Sequence, residues 1–339
     1  MTRASNCLRL LVASSAVCAP LWAQTALFTD GSTFGGSQVF SEGMNPLGNA
    51  ARINLAPQGY YLTYVGGDQR AKDNKSILAD TGSDPAALNP LANAPWGQRT
   101  QAYGFAAIKN SYNLALTREE LNGVLYVPGA TPVLVGSRAV VDRLSLGGGG
   151  PIQSGFEGGM SVRVENWAMG QQSVAYNSFG QAGFGNPEGQ MSATGTTERT
   201  LTLGVDGGLV FEVAQGVRLG LTGTQLNPKS LWGVNLKPQF RAGLQIDLGP
   251  MTKLSVESDI NAVEKMPFAV TQQTAAASLR FAVSPAVTFL VGGEQKKIDG
   301  QAVTLAGASL QIHTSSVLLV FGFQAGQDNP MKSATVGFL

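Results

Sequence analysis

Residues 201–213 read Leu-Thr-Leu-Gly-Val-Asp-Gly-Gly-Leu-Val-Phe-Glu-Val. The odd positions, Leu201, Leu203, Val205, Gly207, Leu209, Phe211 and Val213, are apolar apart from one glycine. The even positions, Thr202, Gly204, Asp206, Gly208, Val210 and Glu212, are mostly polar or small. Alternation of period two over 13 residues predicts one long strand with an apolar and a mostly polar face. Strands of ordinary globular proteins are about five or six residues long, whereas about nine to eleven tilted residues span a bilayer. The stretch therefore points to a wall strand of a membrane barrel, apolar face outward.

The turns that follow keep this register. A loop at Ala214-Gln215-Gly216 sets Phe211 against Leu219 on the apolar side and Glu212 against Arg218 on the polar side, with Gly216 suited to a left-handed bulge. Gly249-Pro250-Met251 sets Ile246 against Leu254 and Leu244 against Val256, and also Asp247 against Lys253 and Arg241 against Asp259. Ser284-Pro285-Ala286 sets Phe281 against Phe289 and Leu279 against Val291. A one-residue slip would pair apolar with polar faces throughout. The loop centres Gln215, Pro250 and Pro285 recur every 35 residues, and the next turn, at Thr314, comes 29 later. Short turns alternating with longer loops are the asymmetry of an outer-membrane barrel.

Extending the scheme gives 14 strands, at 59–66, 101–108, 111–118, 133–145, 155–167, 198–213, 217–226, 236–248, 252–260, 272–283, 287–296, 302–312, 317–324 and 331–339. At the Lys109-Asn110 hairpin Phe105 is expected opposite Leu114 and Tyr103 opposite Leu116. Segments 67–100 and 168–197 read as outer loops. The glycine run 147–150 is expected to relieve crowding at a turn or an inward bend. The fold class is thus all-β, an antiparallel transmembrane barrel of about 14 strands with an N-terminal plug.

Arg3 and Arg9, the apolar stretch Leu8 to Trp22 and the small Ala23 have the order of a secretory signal. Its apolar run of 15 residues is shorter than the roughly 20 of a spanning helix. The expected division is 1–23 signal peptide, 24–58 plug or periplasmic arm, and 59–339 barrel in the outer membrane of a Gram-negative bacterium. Cys7 and Cys18 both fall within the signal, which leaves the mature chain no thiol chemistry and no disulfide. A net charge of +1 with 13% charged residues argues against a nucleic-acid partner. The lone His313, beside Thr314, Ser315 and Ser316, reads as an exposed turn residue, not the base of an esterase. No nucleophile elbow, phosphate loop or dinucleotide fingerprint occurs, so neither an enzyme nor a cofactor is expected.

Gly35-Gly36, a spacer, Asn45-Pro46 and Asn49-Ala50-Ala51 together resemble the N-terminal segment of FadL-type channels and of their PorV-like and TraF-like relatives. The stretch Leu236-Lys237-Pro238-Gln239-Phe240-Arg241-Ala242-Gly243-Leu244 is similar to a strand of the TraF-like branch. The resemblance implies an outer-membrane barrel with an N-terminal plug. FadL-type members carry hydrophobic substrates inward, and PorV-like members serve secretion machinery. Two roles follow as expectations: passive transport of hydrophobic small molecules, or a structural part in a secretion or conjugal-transfer assembly.

The polar-face positions Asp206, Glu212, Arg218, Lys237, Arg241, Asp247, Lys253, Glu257, Asp259, Arg280 and Glu294 are the lumen-lining candidates. Five are basic and six acidic, which gives no strong ion preference and favours cross-strand bracing. Gly35, Gly36, Asn45 and Pro46 are the plug candidates. Asp68, Asp73, Asp80 and Asp84 lack the tight spacing of a calcium loop, and no metal site is expected. The expected partners are outer-membrane lipid, a hydrophobic ligand, a secretion or conjugation partner, and the barrel-assembly machinery. The last would read the alternating terminus Val336-Gly337-Phe338-Leu339.

Overall fold

Each long strand pairs with its sequence neighbour, and the first pairs with the last. The computed structural model describes residues 36–40, 49–67, 95–129, 133–175, 196–265, 270–298, 301–326 and 331–339. Its first seven strands are β1 (Gly59–Gly67), β2 (Pro95–Lys109), β3 (Tyr112–Val127), β4 (Val133–Gln153), β5 (Phe156–Ala175), β6 (Thr196–Ala214) and β7 (Val217–Thr224). Two short strands, β8 (Lys229–Leu231) and β9 (Val234–Leu236), form a separate hairpin. The wall resumes with β10 (Gln239–Gly249) and β11 (Thr252–Asp259), and the short β12 (Val263–Lys265) follows. It is completed by β13 (Val270–Ser284), β14 (Val287–Ile298), β15 (Gln301–His313), β16 (Val317–Gly326) and β17 (Met331–Phe338). Leaving out β8, β9 and β12, these are 14 antiparallel staves. The pairings β11–β13 and β1–β17 close the ring.

The hairpin registers at 214–216, 249–251 and 284–286 are the expected ones: Phe211 lies opposite Leu219, Arg241 opposite Asp259 and Phe281 opposite Phe289. Gly216 takes φ +75, the left-handed bulge position, with the register shift falling between Glu212 and Ala214. The β2–β3 hairpin differs. Phe105 pairs with Leu116 and Ala107 with Leu114, while Tyr103 meets Arg118. The turn is Asn110-Ser111, with Asn110 in the left-handed region at φ 56, so the pairing moves by two residues and every face is kept. β2 to β5 are also longer than their expected ranges, and β4 runs on to Gln153. The glycine run 147–150 therefore lies within a strand and not at a turn.

On β6 the even residues Gly204, Asp206, Gly208 and Val210 are buried, and Leu201, Leu203, Phe211 and Val213 are exposed. This is the inward-outward alternation that the pattern demands. Near the short-turn end, outward rings stack as Phe156–Phe211 and Phe281–Phe289, at 4.7 and 5.3 Å between centroids. Such rings suit the girdle at a membrane interface. Toward the long-loop end of β3 and β4, two outward ion pairs end the apolar band, Arg118–Asp142 at 3.4 Å and Arg138–Glu120 at 2.8 Å.

Candidate functional site

The interior is built in three tiers, starting at the short-turn end. There the N-terminal segment lies against the inner wall. Asn49, in extended conformation, accepts from Ala51 N at 3.0 Å and donates through Nδ2 to Val39 O at 2.5 Å. It thereby caps a 3-10 helix, Ala50–Leu55, whose start would otherwise leave a bare N–H. Ile53 and Ala50 pack with the inward side chains Tyr61, Ala106, Ile108, Ala115, Leu318 and Val320. Val39, Phe40 and Ala51 pack on Val210.

Glycines make room for this segment. Gly149, Gly159 and Gly208 are register partners across β4, β5 and β6, and Gly220 pairs with Gly243 across β7 and β10. A Cβ at Gly149 or Gly159 would collide with the Ala50 carbonyl, and one at Gly208 with the Asn49 amide. At Gly220 and Gly243 the obstacles would be Val39 and Phe40. Beside Gly243, Glu257 accepts from Ser37 Oγ at 2.5 Å, Val39 N at 3.0 Å and Gln38 N at 3.2 Å. Arg241 braces Glu257 at 3.2 Å, Asp259 at 2.6 Å and Gln38 Oε1 at 3.2 Å. Arg52 reaches Glu157 at 3.2 Å.

The middle tier is ionic. Glu165 is fully buried and is surrounded by cations: Arg163 Nε at 3.1 Å, Arg143 Nε at 3.4 Å and the ammonium of Lys229. Trp167 Nε1 and Thr202 Oγ1 also donate to it, at 3.2 and 3.3 Å. Arg143 in turn holds Glu119 at 2.6 Å, and Arg163 pairs with Asp206. A buried carboxylate is tolerated only with such compensation. Between this tier and Gln38 of the N-terminal segment lies a cavity of about 270 Å³ whose described lining residues are all polar.

The third tier, at the long-loop end, is apolar. The β8–β9 hairpin turns through Trp232 (φ 49) and Gly233 (φ 84), both left-handed, as a two-residue type I′ turn requires. Its Leu231, Val234 and Leu236 pack against the inward Ala139, Val141 and Trp167.

Among the lumen-lining candidates, Asp206, Arg241, Glu257, Asp259 and Glu294 are buried on the inner wall. Arg218, Asp247 and Lys253 form a half-buried group near the short turns, with Arg218–Asp247 at 3.1 Å and Lys253–Asp247 at 3.7 Å. Glu212 is exposed and accepts from Gly216 N in its own turn. Arg280 is half-buried opposite Lys253. Lys237 lies off the ladder. It is exposed between β9 and β10, because Pro238 has no N–H for a ladder and the strand starts only at Gln239. Of the plug candidates Gly36 is buried, while Gly35, Asn45 and Pro46 lie outside the described residues, as do residues 1–23 and the loop aspartates Asp68, Asp73, Asp80 and Asp84. His313 ends β15 and is exposed.

Glu119, Arg143, Arg163, Glu165 and Lys229 were not among the candidates. The signal for two of them is the alternation in β5, where Arg163 and Glu165, together with Trp167, interleave with the outward Met160, Val162 and Val164.

No family model matches the chain, and no curated protein matches it. Solved structures do. The chain is similar to the CymD monoaromatic hydrocarbon channel, at 10% identity and a TM-score of 0.54 over 91% of this chain and 97% of that one. The Ralstonia pickettii toluene transporter TbuX gives 11% and 0.53, over 90% and 98%. A deletion mutant of the TodX monoaromatic hydrocarbon channel gives 10% and 0.56, over 94% and 99%. With about one residue in ten identical, the likeness is one of fold, and it runs through nearly the whole of both chains: this is the barrel architecture of those channels.

Proposed function

We propose that the chain is an outer-membrane channel for passive passage of small hydrophobic molecules, with the segment 24–58 as its plug. The observation that carries this reading is the seat of residues 36–40 and 49–55 on the inner-wall glycines, in a barrel with the fold of hydrocarbon channels. Glycine at those positions leaves space that a Cβ would fill, as a wall shaped around an inserted segment needs. The outward apolar band makes lipid the immediate partner, and the exposed Phe338 on β17 is the feature that assembly machinery would read. The proposal is for a transporter, not an enzyme.

A second reading, a structural component of a secretion or conjugal-transfer assembly, is favoured by the ionic middle tier and the unbroken strand pairing around the ring. A branch relationship to TraF-like proteins would rest on Leu236–Leu244, a stretch divided between the end of β9, Lys237-Pro238 and the start of β10. Toluene uptake by proteoliposomes separates the two roles. Uptake above that of protein-free vesicles supports the channel, and equal uptake supports the structural role.

A further inference from the structure

The cavity between Gln38 and the ionic tier has properties that hydrocarbon passage does not call for. Among the described residues its lining is Gln38, Thr117, Glu119, Arg143, Ser145, Ser161, Arg163, Asp206, Thr224, Gln225, Gln239 and Lys265, none of them apolar. Its charges are largely spent on each other: Arg143 on Glu119 at 2.6 Å and Glu165 at 3.4 Å, Arg163 on Asp206 and Glu165, and Lys265 on Gln239 Oε1 at 2.8 Å. Two neutral groups are not spent. Thr117 Oγ1, on a residue 8% exposed, and the buried Gln225 Oε1 have no hydrogen-bond partner among the described residues. Leaving such groups unmatched is costly, so they mark a place where a hydrogen-bonding molecule belongs.

Gln225 carries a further sign. It is a non-glycine residue at φ 54, immediately after β7, held there by its N–H on Asp206 Oδ1 at 2.9 Å and its Nε2 on Glu165 Oε1 at 3.4 Å. Strained backbone that aims a side chain into a cavity is a feature of binding sites.

We infer that this cavity binds a small neutral polyhydroxylated solute, of pentose or hexose size, whose hydroxyls meet Thr117 and Gln225. An ion is disfavoured because the charged walls are already paired. An apolar solute is disfavoured because it would leave Thr117 Oγ1 and Gln225 Oε1 unmatched. The volume, about 270 Å³, equals roughly nine waters at about 30 Å³ each. The inference does not depend on hydrocarbon passage.

The test uses the full chain in a phosphocholine detergent, which has no sugar headgroup, with xylitol as probe in ligand-detected saturation-transfer NMR. Saturable binding is expected, weakened roughly fivefold by Thr117→Val, the loss of one hydrogen bond. Ser309→Ala, which removes an unpartnered inner hydroxyl on β15 outside this cavity, should leave binding unchanged. No saturable binding by folded protein, or equal binding by Thr117→Val, overturns the proposal. Toluene uptake without xylitol binding defeats this inference alone, and xylitol binding without toluene uptake defeats only the hydrocarbon reading.

Discussion

Ser37 Oγ donates to Glu257 Oε2 at 2.5 Å, which ties the N-terminal segment to a stave 220 positions further along the chain. Glu257 also accepts two backbone N–H groups of the same segment, so one carboxylate holds three of the segment's donors. Glu257→Gln should cost about 1–3 kcal/mol of seating energy, because an amide is a weaker acceptor and Arg241 loses a partner. Planar-bilayer conductance should rise, and protease should cut within the segment, while barrel refolding stays normal. Unchanged conductance together with unchanged cleavage would show that this carboxylate does not retain the segment.

The glycine seat makes a sharper demand. At Gly159→Ala the obstacle is the Ala50 backbone, which cannot swing aside as a side chain can. Overpacking of this kind costs about 1–3 kcal/mol. Gly249→Ala, with nothing within 4 Å, is the control and should be near neutral. Urea midpoints of the lipid-refolded variants, compared with that of wild type, measure the difference.

Leu209 faces outward, five residues above the Ala214 end of β6. Leu209→Arg should cost about 2–4 kcal/mol in refolding into vesicles, whereas Leu201→Arg, beside the outward Asn166 and near the rim, should cost about 0–1. Equal penalties at the two depths would contradict the placement of the band. Gly208→Arg, which would be mild in an open lumen, should instead be severe, since Asn49 fills that space.

Charge reversal separates the two ion pairs of the β10–β11 hairpin. Arg241 and Asp259 are buried, and each serves others: Arg241 serves Glu257 and Gln38, and Asp259 serves Thr274 N at 2.6 Å and Gln239 at 2.8 Å. Arg241→Asp with Asp259→Arg should therefore fail to restore stability, since the new aspartate would face Glu257. The half-exposed Asp247–Lys253 pair should show coupling of only about 0–1 kcal/mol in a double-mutant cycle. Full rescue at 241/259 would mean that the network is merely a pair.

Much of this architecture was legible because period-two alternation and turn chemistry are local. Gly216 announces its bulge, and Phe281 and Phe289 find each other across a short turn. The β2–β3 register was displaced because either of two overlapping pairs, Lys109-Asn110 or Asn110-Ser111, can make a two-residue turn, and both keep the faces. The strand expected from 236 starts only at Gln239 because alternation continues through Pro238, where the missing donor ends the ladder. The seat could not be read at all. Nothing local distinguishes Gly159, which touches the Ala50 carbonyl, from the unencumbered Gly249; the difference lies in residues more than a hundred positions away. Arg163 and Glu165 alternate with outward apolar residues within β5, but the other cations around Glu165, Arg143 and Lys229, come from β4 and the β8 hairpin, which no local pattern announces.

The seam between β1 and β17 has a bearing on the order of events. Tyr60 meets Phe338 and Gly67 meets Met331, and Thr63 shares a hydrogen bond with Thr335 across 272 residues. Contacts of such separation carry the largest loop-closure entropy and form late. The residues laid against the glycines directly precede β1; the glycine and carboxylate part of their seat lies on β4 to β11, and contacts with β1, β2, β3 and β16 complete it. They can settle on a sheet that is still open at one edge and be enclosed when the last strand zips, with no need to thread a finished ring crowded by ion pairs. The contents are loaded before the container is sealed.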